Sequence, residues 1–487
     1  MNTRHHIQRG LFWLGSASAV MRGLELGSLI VLLWMLSEKQ VGLAALSWTV
    51  AVILEAYNGL GIGTALVQAS TLSRKQLDSA FWFATGIGAL LLLISAALSP
   101  FLASYFGEPA LAPMVIVAST NILWTGIAAV PLQLLHRELR FKEAALIETA
   151  AVGLASLTKI AAAALGLGAW SLVIGHTAEG FFLLVGVNVV APFRPRLAFV
   201  FHEIRALVVF GLKVATSRII YHGYRNLDYM VVGKAFGTEA LGVYRVGFEI
   251  AMSPAMSVLN VLNGAAFPVY SRLAADRARL KESFVWTTRN LVVLIGPIAV
   301  FLAFAAPNLV PLVGGEKWLP AVPVVQVLCW AALLRCVAHL TPQLLHAAGR
   351  PDLAIYDSLI TLCMLAVSFA VFLGLPMLKP WGIMGIAWGW LLAYPPILLA
   401  LWVFARRVVP LGFGEYLASF RAGALATTSV ALSLLVCSFV PQLALPATAR
   451  LGLQLVVAVL TLSAFVRFGL GVKLQTIVRG PRGEQEA

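Results

Sequence analysis

Apolar residues run along this chain in long blocks separated by short polar turns, without the strict alternation that marks strands. The blocks fall at 11–36, 41–67, 80–101, 111–135, 144–166, 169–191, 207–232, 239–267, 284–305, 319–345, 353–375, 382–405, 419–440 and 448–469. A helix needs about 20 apolar residues to cross a bilayer. Only helices or closed barrels satisfy their backbone in lipid. The pattern therefore predicts an all-α integral membrane protein with about 14 transmembrane helices. The first block is too long for a signal-peptide core and lacks a clear cleavage site, so it is expected to be the first span.

Composition agrees. Of 487 residues, 60% are hydrophobic and 11% charged, and the mean hydropathy is +0.89, which is more apolar surface than a soluble chain can cover. The net charge of +14 would suggest nucleic acid in a soluble protein. Here its distribution points to orientation instead. With a cytoplasmic N-terminus, twenty of the 35 Lys and Arg residues fall in inside segments, while the outside loops hold only Lys39, Lys234, Lys317 and Lys379. This bias predicts that both termini are cytoplasmic and leaves no part for nucleic acid. Trp34, Trp170, Trp318 and Trp381 sit near outer span ends, and Trp13 and Trp402 near inner ones, where interfacial anchors belong.

A weak internal repeat is present. Arg22 follows Gly15 by seven residues, as Arg218 follows Gly211. The turn Glu38-Lys-Gln-Val-Gly42-Leu matches Thr238-Glu-Ala-Leu-Gly242-Val. The offset covers six helices, so the halves share an orientation, related by a pseudo-two-fold axis along the membrane normal. The expected organisation is a six-helix lobe over 1–206, a second over 207–410, and two additional helices with a tail over 411–487.

Several spans carry ionisable residues that lipid does not tolerate. Arg218, His222, Arg225 and Asp228 lie at i, i+4, i+7 and i+10. Such groups face a bundle interior or a wet cavity. Arg245 and Glu249, and Arg335 and His339, are each one turn apart; Arg22 and Glu25 are also one turn apart, and Glu55 lies mid-span. The first lobe's internal charges are mostly acidic and the second's mostly basic. Guanidinium forks suit phosphate oxygens, so Arg22, Arg218, Arg225, Arg245 and Arg335 are candidate ligands for an anionic headgroup. Glu25, Glu55, Asp228 and Glu249 are candidates for ion pairing or for coupling to H⁺ or Na⁺. Internally paired seams that only fasten helices remain the alternative for each pair.

Cys329, Cys336, Cys363 and Cys437 lie in apolar blocks without ligand spacing, and His5 and His6 lie in the N-terminal tail; neither group suggests a metal site. No GxxxxGK[ST] phosphate loop occurs, so ATP is not the direct fuel, and no cofactor is expected. No outside loop has room for a catalytic domain. These features point to a transporter and not an enzyme.

The opening Arg9-Gly10-Leu-Phe-Trp, the turn Ser37-Glu-Lys-Gln-Val-Gly42-Leu-Ala-Ala and the stretch Gly59-Leu-Gly-Ile-Gly63-Thr-Ala-Leu-Val-Gln68 resemble the start of polysaccharide-repeat flippases. These belong to the multidrug/oligosaccharidyl-lipid/polysaccharide exporter superfamily. Asp228-Tyr-Met-Val-Val-Gly233-Lys-Ala-Phe-Gly237 with Gly242-Val-Tyr244 resembles that family's second-half opening. The resemblance implies a flippase carrying undecaprenyl-pyrophosphate-linked oligosaccharide from the inner to the outer leaflet of a bacterial inner membrane, for O-antigen, capsule or exopolysaccharide synthesis. It leaves room for a polysaccharide polymerase and chain-length proteins as partners. A cation-coupled multidrug exporter and a lipid II flippase share the fold and stay open as alternatives, as does a membrane glycosyltransferase or polymerase from another class.

Overall fold

The computed structural model describes residues 3–55, 57–58, 66, 72–209, 223, 225–439 and 446–469. It is all-helical. Among the described residues, twelve helices are long and apolar enough to cross a membrane. The two other predicted spans, 41–67 and 207–232, run into residues outside the described set, as do Arg218 and His222.

The first six helices are α1 (Thr3–Met35), α2 (Glu38–Glu55), α3 (Arg74–Phe106), α4 (Leu111–Arg137), α5 (Phe141–Ala164) and α6 (Ala169–Val190). Next come α7 (Leu227–Leu273), α8 (Arg277–Gly314), α9 (Val322–Ala338), α10 (Leu340–Ala347), α11 (Pro351–Gly374), α12 (Ile383–Val408), α13 (Phe413–Phe439) and α14 (Ala447–Ala464). Several outrun their apolar blocks. The block 80–101 sits inside the 33 residues of α3, and 284–305 inside the 38 of α8. Hydropathy marks only the lipid-immersed part, whereas intrahelical hydrogen bonding continues into the polar layer. Polar caps then end the helices. At α3, Ser73 and Gln76 form a capping box, and Gly107 closes the other end at φ 73°.

Three local features differ from the sequence pattern or refine it. The block 319–345 makes one candidate crossing, Glu316–Ala347, but its helix is interrupted at His339, which separates α9 from α10. The predicted break between the blocks ending at 232 and starting at 239 is a single residue, Gly237, at φ 86° inside α7. That conformation suits glycine because it has no Cβ. Trp318 is not an interfacial anchor. It is fully buried in the 3₁₀ turn Glu316–Ala321, while Trp34 and Trp381 are exposed as expected.

The chain divides into two compact units, Met1–Gly242 and Val243–Ala487. In the first, α4 packs on α2, α3 and α6, and α5 on α1 and α6. Alanines line the buried face of α5, at 144, 145, 151, 155 and 162, and small residues let helix backbones approach closely in a membrane. In the second unit α8 is central, flanked by α9, α13 and α14, while α12 packs on α9 and α11.

Within the first unit, α2 crosses the start of the α7 stretch that follows Gly237, with the two backbones in contact. A Cβ added at Gly42 would overlap the Thr238 carbonyl oxygen and lie 2.8 Å from the Gly242 nitrogen. One added at Gly242 would overlap the Glu38 carbonyl oxygen and lie 3.1 Å from the Gly42 nitrogen. The two glycines matched by the sequence repeat thus pack reciprocally on each other.

Candidate functional site

In the first unit, ionisable and amide side chains converge from α1, α2, α4, α5 and α6. Glu55 ends the described part of α2, and its Oε1 accepts from Asn121 Nδ2 of α4 at 3.2 Å. Asn58 Nδ2, just beyond α2, donates to the Ile122 carbonyl at 3.0 Å and to Thr125 Oγ1 at 2.8 Å. These bonds tie the end of α2 to one face of α4. Asn121 is buried, and its Oδ1 has no hydrogen-bond partner among the described residues. That oxygen lies against Gly180 of α6, where a Cβ would collide with it.

Glu179 neighbours Gly180 and lies within electrostatic range of Glu55, of Lys159 on α5 and of Glu25 on α1. The Lys159 stem crosses Gly175, which leaves it room. His176 is buried one turn before Glu179, with its ring 5.1 Å from that of Trp48. Arg22 pairs with Glu25 at 2.9 Å, and both are about half-exposed. The neighbouring carboxylates Glu55 and Glu179 suit a small cation better than a phosphate, whereas the half-exposed Arg22 keeps a guanidinium suited to an anion.

The second unit holds a different arrangement. Arg335 of α9 is 2% exposed. Its guanidinium lies 4.9 Å from the centroid of Trp390 on α12 and 5.8 Å from that of Phe248 on α7. Tyr394 stacks on Trp390 at 6.0 Å, and Phe369 of α11 meets Trp390 edge-on at 5.9 Å. A cation desolvated on aromatic faces is held by the ring quadrupoles. Arg245 and Glu249 share a face of α7, both half-buried. In the first unit, ahead of Gly237 on α7, Asp228 is buried and its Oδ1 accepts from the Tyr229 nitrogen at 2.9 Å, and Arg225 is exposed.

The structure therefore joins Glu25, Glu55 and Arg22 in one neighbourhood of the first unit. It places Arg335 in an aromatic cage that the sequence did not suggest. Asn121 and Thr125 were also missed, although a lone Asn amid the apolar run of α4 was the available signal. Cys329 and Cys336 are buried thiols, and no metal-binding group of His, Cys, Asp and Glu occurs among the described residues.

A cavity of 410 Å³ opens between α8, α9 and α13, lined by Val292, Phe304, Trp330, Phe420, Thr427 and Leu435 among others. Its walls are aliphatic and aromatic apart from threonine hydroxyls. It suits a hydrocarbon chain and offers nothing to a charged group.

A family model described as polysaccharide biosynthesis protein matches residues 31–323. The lipopolysaccharide biosynthesis protein WzxC of Escherichia coli is 26% identical, covering 73% of this chain and 72% of its own length. The teichuronic acid biosynthesis protein TuaB of Bacillus subtilis is 24% identical, covering 77% of each chain. The succinoglycan biosynthesis transport protein ExoT of Rhizobium meliloti is 25% identical, covering 73% and 77%. Among solved structures, the lipid II flippase MurJ superposes with a TM-score of 0.73 at 13% identity, covering 94% of this chain and 99% of its own. An inward-facing multidrug resistance MATE transporter of the MOP superfamily gives 0.63 at 14% identity, over 79% and 95%. At these identities the two structures establish the fold alone.

Proposed function

The chain belongs to the polysaccharide biosynthesis protein family, and from that premise we propose that it flips undecaprenyl-pyrophosphate-linked oligosaccharide from the inner to the outer leaflet of a bacterial inner membrane. It is a multi-pass membrane transporter of polysaccharide biosynthesis with the MOP superfamily fold, and not an enzyme.

The observation that carries the finer reading is the naming of its relatives for three chemically unlike polymers: lipopolysaccharide, teichuronic acid and succinoglycan. A scaffold serving unlike sugars recognises what the sugars share, and a pyrophosphate on a lipid carrier is such a handle. Arg22, Arg218, Arg225, Arg245 and Arg335 are the groups we assign to that handle, because guanidinium remains charged when desolvated. The isoprenoid tail would take the apolar cavity beside α13. Transport proceeds by alternating access of the site to the two sides. The excess of basic residues in the segments taken as inside supports a cytoplasmic position for both termini.

Deleting the gene in its own organism is expected to abolish the surface polysaccharide. The lipid-linked repeat unit should accumulate on the inner leaflet, detectable by extraction and mass spectrometry. Drug sensitivity with normal polysaccharide would instead make it an exporter, and lysis a lipid II flippase.

Glu55 and Glu179, with Asp228 and Glu249 in other elements, are the proposed coupling or pairing groups. In reconstituted vesicles, an imposed H⁺ or Na⁺ gradient should alter flux by the native protein. Glu55→Gln keeps the shape and an acceptor for Asn121 but removes the charge, and should reduce that response to near zero. A full response in the variant would remove Glu55 from coupling.

A further inference from the structure

The segment between α6 and residue 209 is strapped to the first turns of α3 in an order that reverses. Arg74 donates through its guanidinium to the Arg194 carbonyl, and also covers the Phe193 ring at 4.7 Å. Further along α3, Asp78 Oδ1 accepts from the Arg196 nitrogen at 3.2 Å, and Trp82 Nε1 donates to the Arg196 carbonyl at 2.8 Å. The order then runs back. Ser79 Oγ accepts from the Val200 nitrogen at 2.9 Å, and Gln76 Nε2 donates to the Glu203 carbonyl at 3.3 Å. From Arg74 to Trp82 is about 12 Å of helix. The linker thus descends alongside α3, turns at 197–199, and climbs out. Phe193 and Ile204, both buried with Phe81 and Val130, pin the two limbs.

Trp82 lies inside the apolar block that begins at 80, so the turn reaches the depth where hydrocarbon starts. The residues at the turn match that depth. Leu197 is 93% exposed, Phe199 54% and Phe201 48%, a concentration of bare apolar side chains that water disfavours. Lys75, Arg194 and Arg205 flank the limbs of the dip, and Arg196 stands next to its turn; all four are exposed. The acids nearest in sequence are Asp78, which is buried and paired with Arg74 at 3.3 Å, and the half-buried Glu203. Apolar residues beneath a ring of cations are the chemistry of a segment that lies in the membrane interface.

We propose that residues 192–205 form an interfacial wedge that binds anionic phospholipid in the leaflet facing the basic loops. Leu197, Phe199 and Phe201 sit at the acyl boundary. Lys75, Arg194 and Arg196 hold the phosphates. The wedge thereby fixes the depth of the first unit in that leaflet.

The test uses the full chain in vesicles of phosphatidylglycerol and phosphatidylcholine. Leu197→Cys carries a bimane label in a background where Cys363 and Cys437, the cysteines not buried in the core, are serine. Lipids brominated near the headgroup end of the chain should quench it at least twofold, and aqueous iodide should barely act. In parallel, native mass spectrometry should show preferential retention of phosphatidylglycerol. The Arg194→Gln/Arg196→Gln double variant should lower that preference about thirtyfold, from two basic groups near an anionic surface. The variant leaves the strap intact, because Arg74, Asp78 and Trp82 bond the main chain of residues 194 and 196. Quenching by iodide without quenching by bromolipid would overturn the wedge, as a protein partner or open water would produce. An unchanged lipid preference in the double variant would overturn the headgroup site.

Discussion

Replacing Gly42 by leucine should collapse both the stability of the protein and its export activity. At the crossing of α2 with the helix after Gly237, the new Cβ would overlap the Thr238 carbonyl oxygen and lie 2.7 Å from its carbonyl carbon. The obstructing atoms are main chain, so no rotamer change relieves the contact. Side-chain overpacking alone costs about 1–3 kcal/mol. A clash of two backbones, each already held in a helix, should cost about 3 kcal/mol or more. Gly242→Leu should behave alike, because its Cβ meets the Glu38 carbonyl. Gly86→Ala serves as the control. Nothing lies within 4 Å of its added Cβ, and alanine favours helix over glycine by up to about 1 kcal/mol. Thermal unfolding in detergent, followed by tryptophan fluorescence, measures all three. A Gly42→Leu protein that melts like the native one would show that the close approach is not needed for the fold.

Replacing Arg335 should reduce export at least tenfold, and the choice of replacement separates charge from packing. Arg335→Ala removes both the cation and a large volume against Trp390 and Phe248, so lost folding would confound it. Arg335→Met retains most of the volume and an apolar contact with the rings. It forgoes a cation–aromatic attraction worth about 2 kcal/mol when desolvated. Arg335→Met is expected to fold, with a melting temperature within several degrees of the native value, yet to leave surface polysaccharide at background. Arg335→Lys should recover part of the export, since ammonium carries the charge without the planar face that stacks on indole. Normal export by the folded Arg335→Met protein would make this arginine a packing element and remove it from the pyrophosphate site.

The glycine pair shows how far the sequence reached. Gly42 and Gly242 were matched by a weak repeat, and the break at Gly237 was anticipated by a gap between apolar blocks. Neither clue said that the two turns touch. The Trp residues divide in the same way. Trp34, Trp318 and Trp381 look alike by position near a span end, yet Trp318 is core. For Glu55, the sequence supplied a carboxylate at bilayer depth, while its partner Asn121 lies 66 residues away on another helix.

By itself, the sequence determined that the chain crosses a membrane as helices, which loops carry the positive charge, and which ionisable residues need shelter. Each of these is a local sum over neighbouring residues, set by transfer free energy, charge and backbone preference. Only the tertiary structure decided that Glu55 bonds Asn121 within electrostatic range of Glu179, that Arg335 rests on Trp390, that Trp318 is internal, and that the 192–205 linker dips beside α3. These depend on which face of each helix turns toward which neighbour. A helix that is apolar all round carries no periodic signal of its own rotation, so packing of small residues and a few polar contacts fix it.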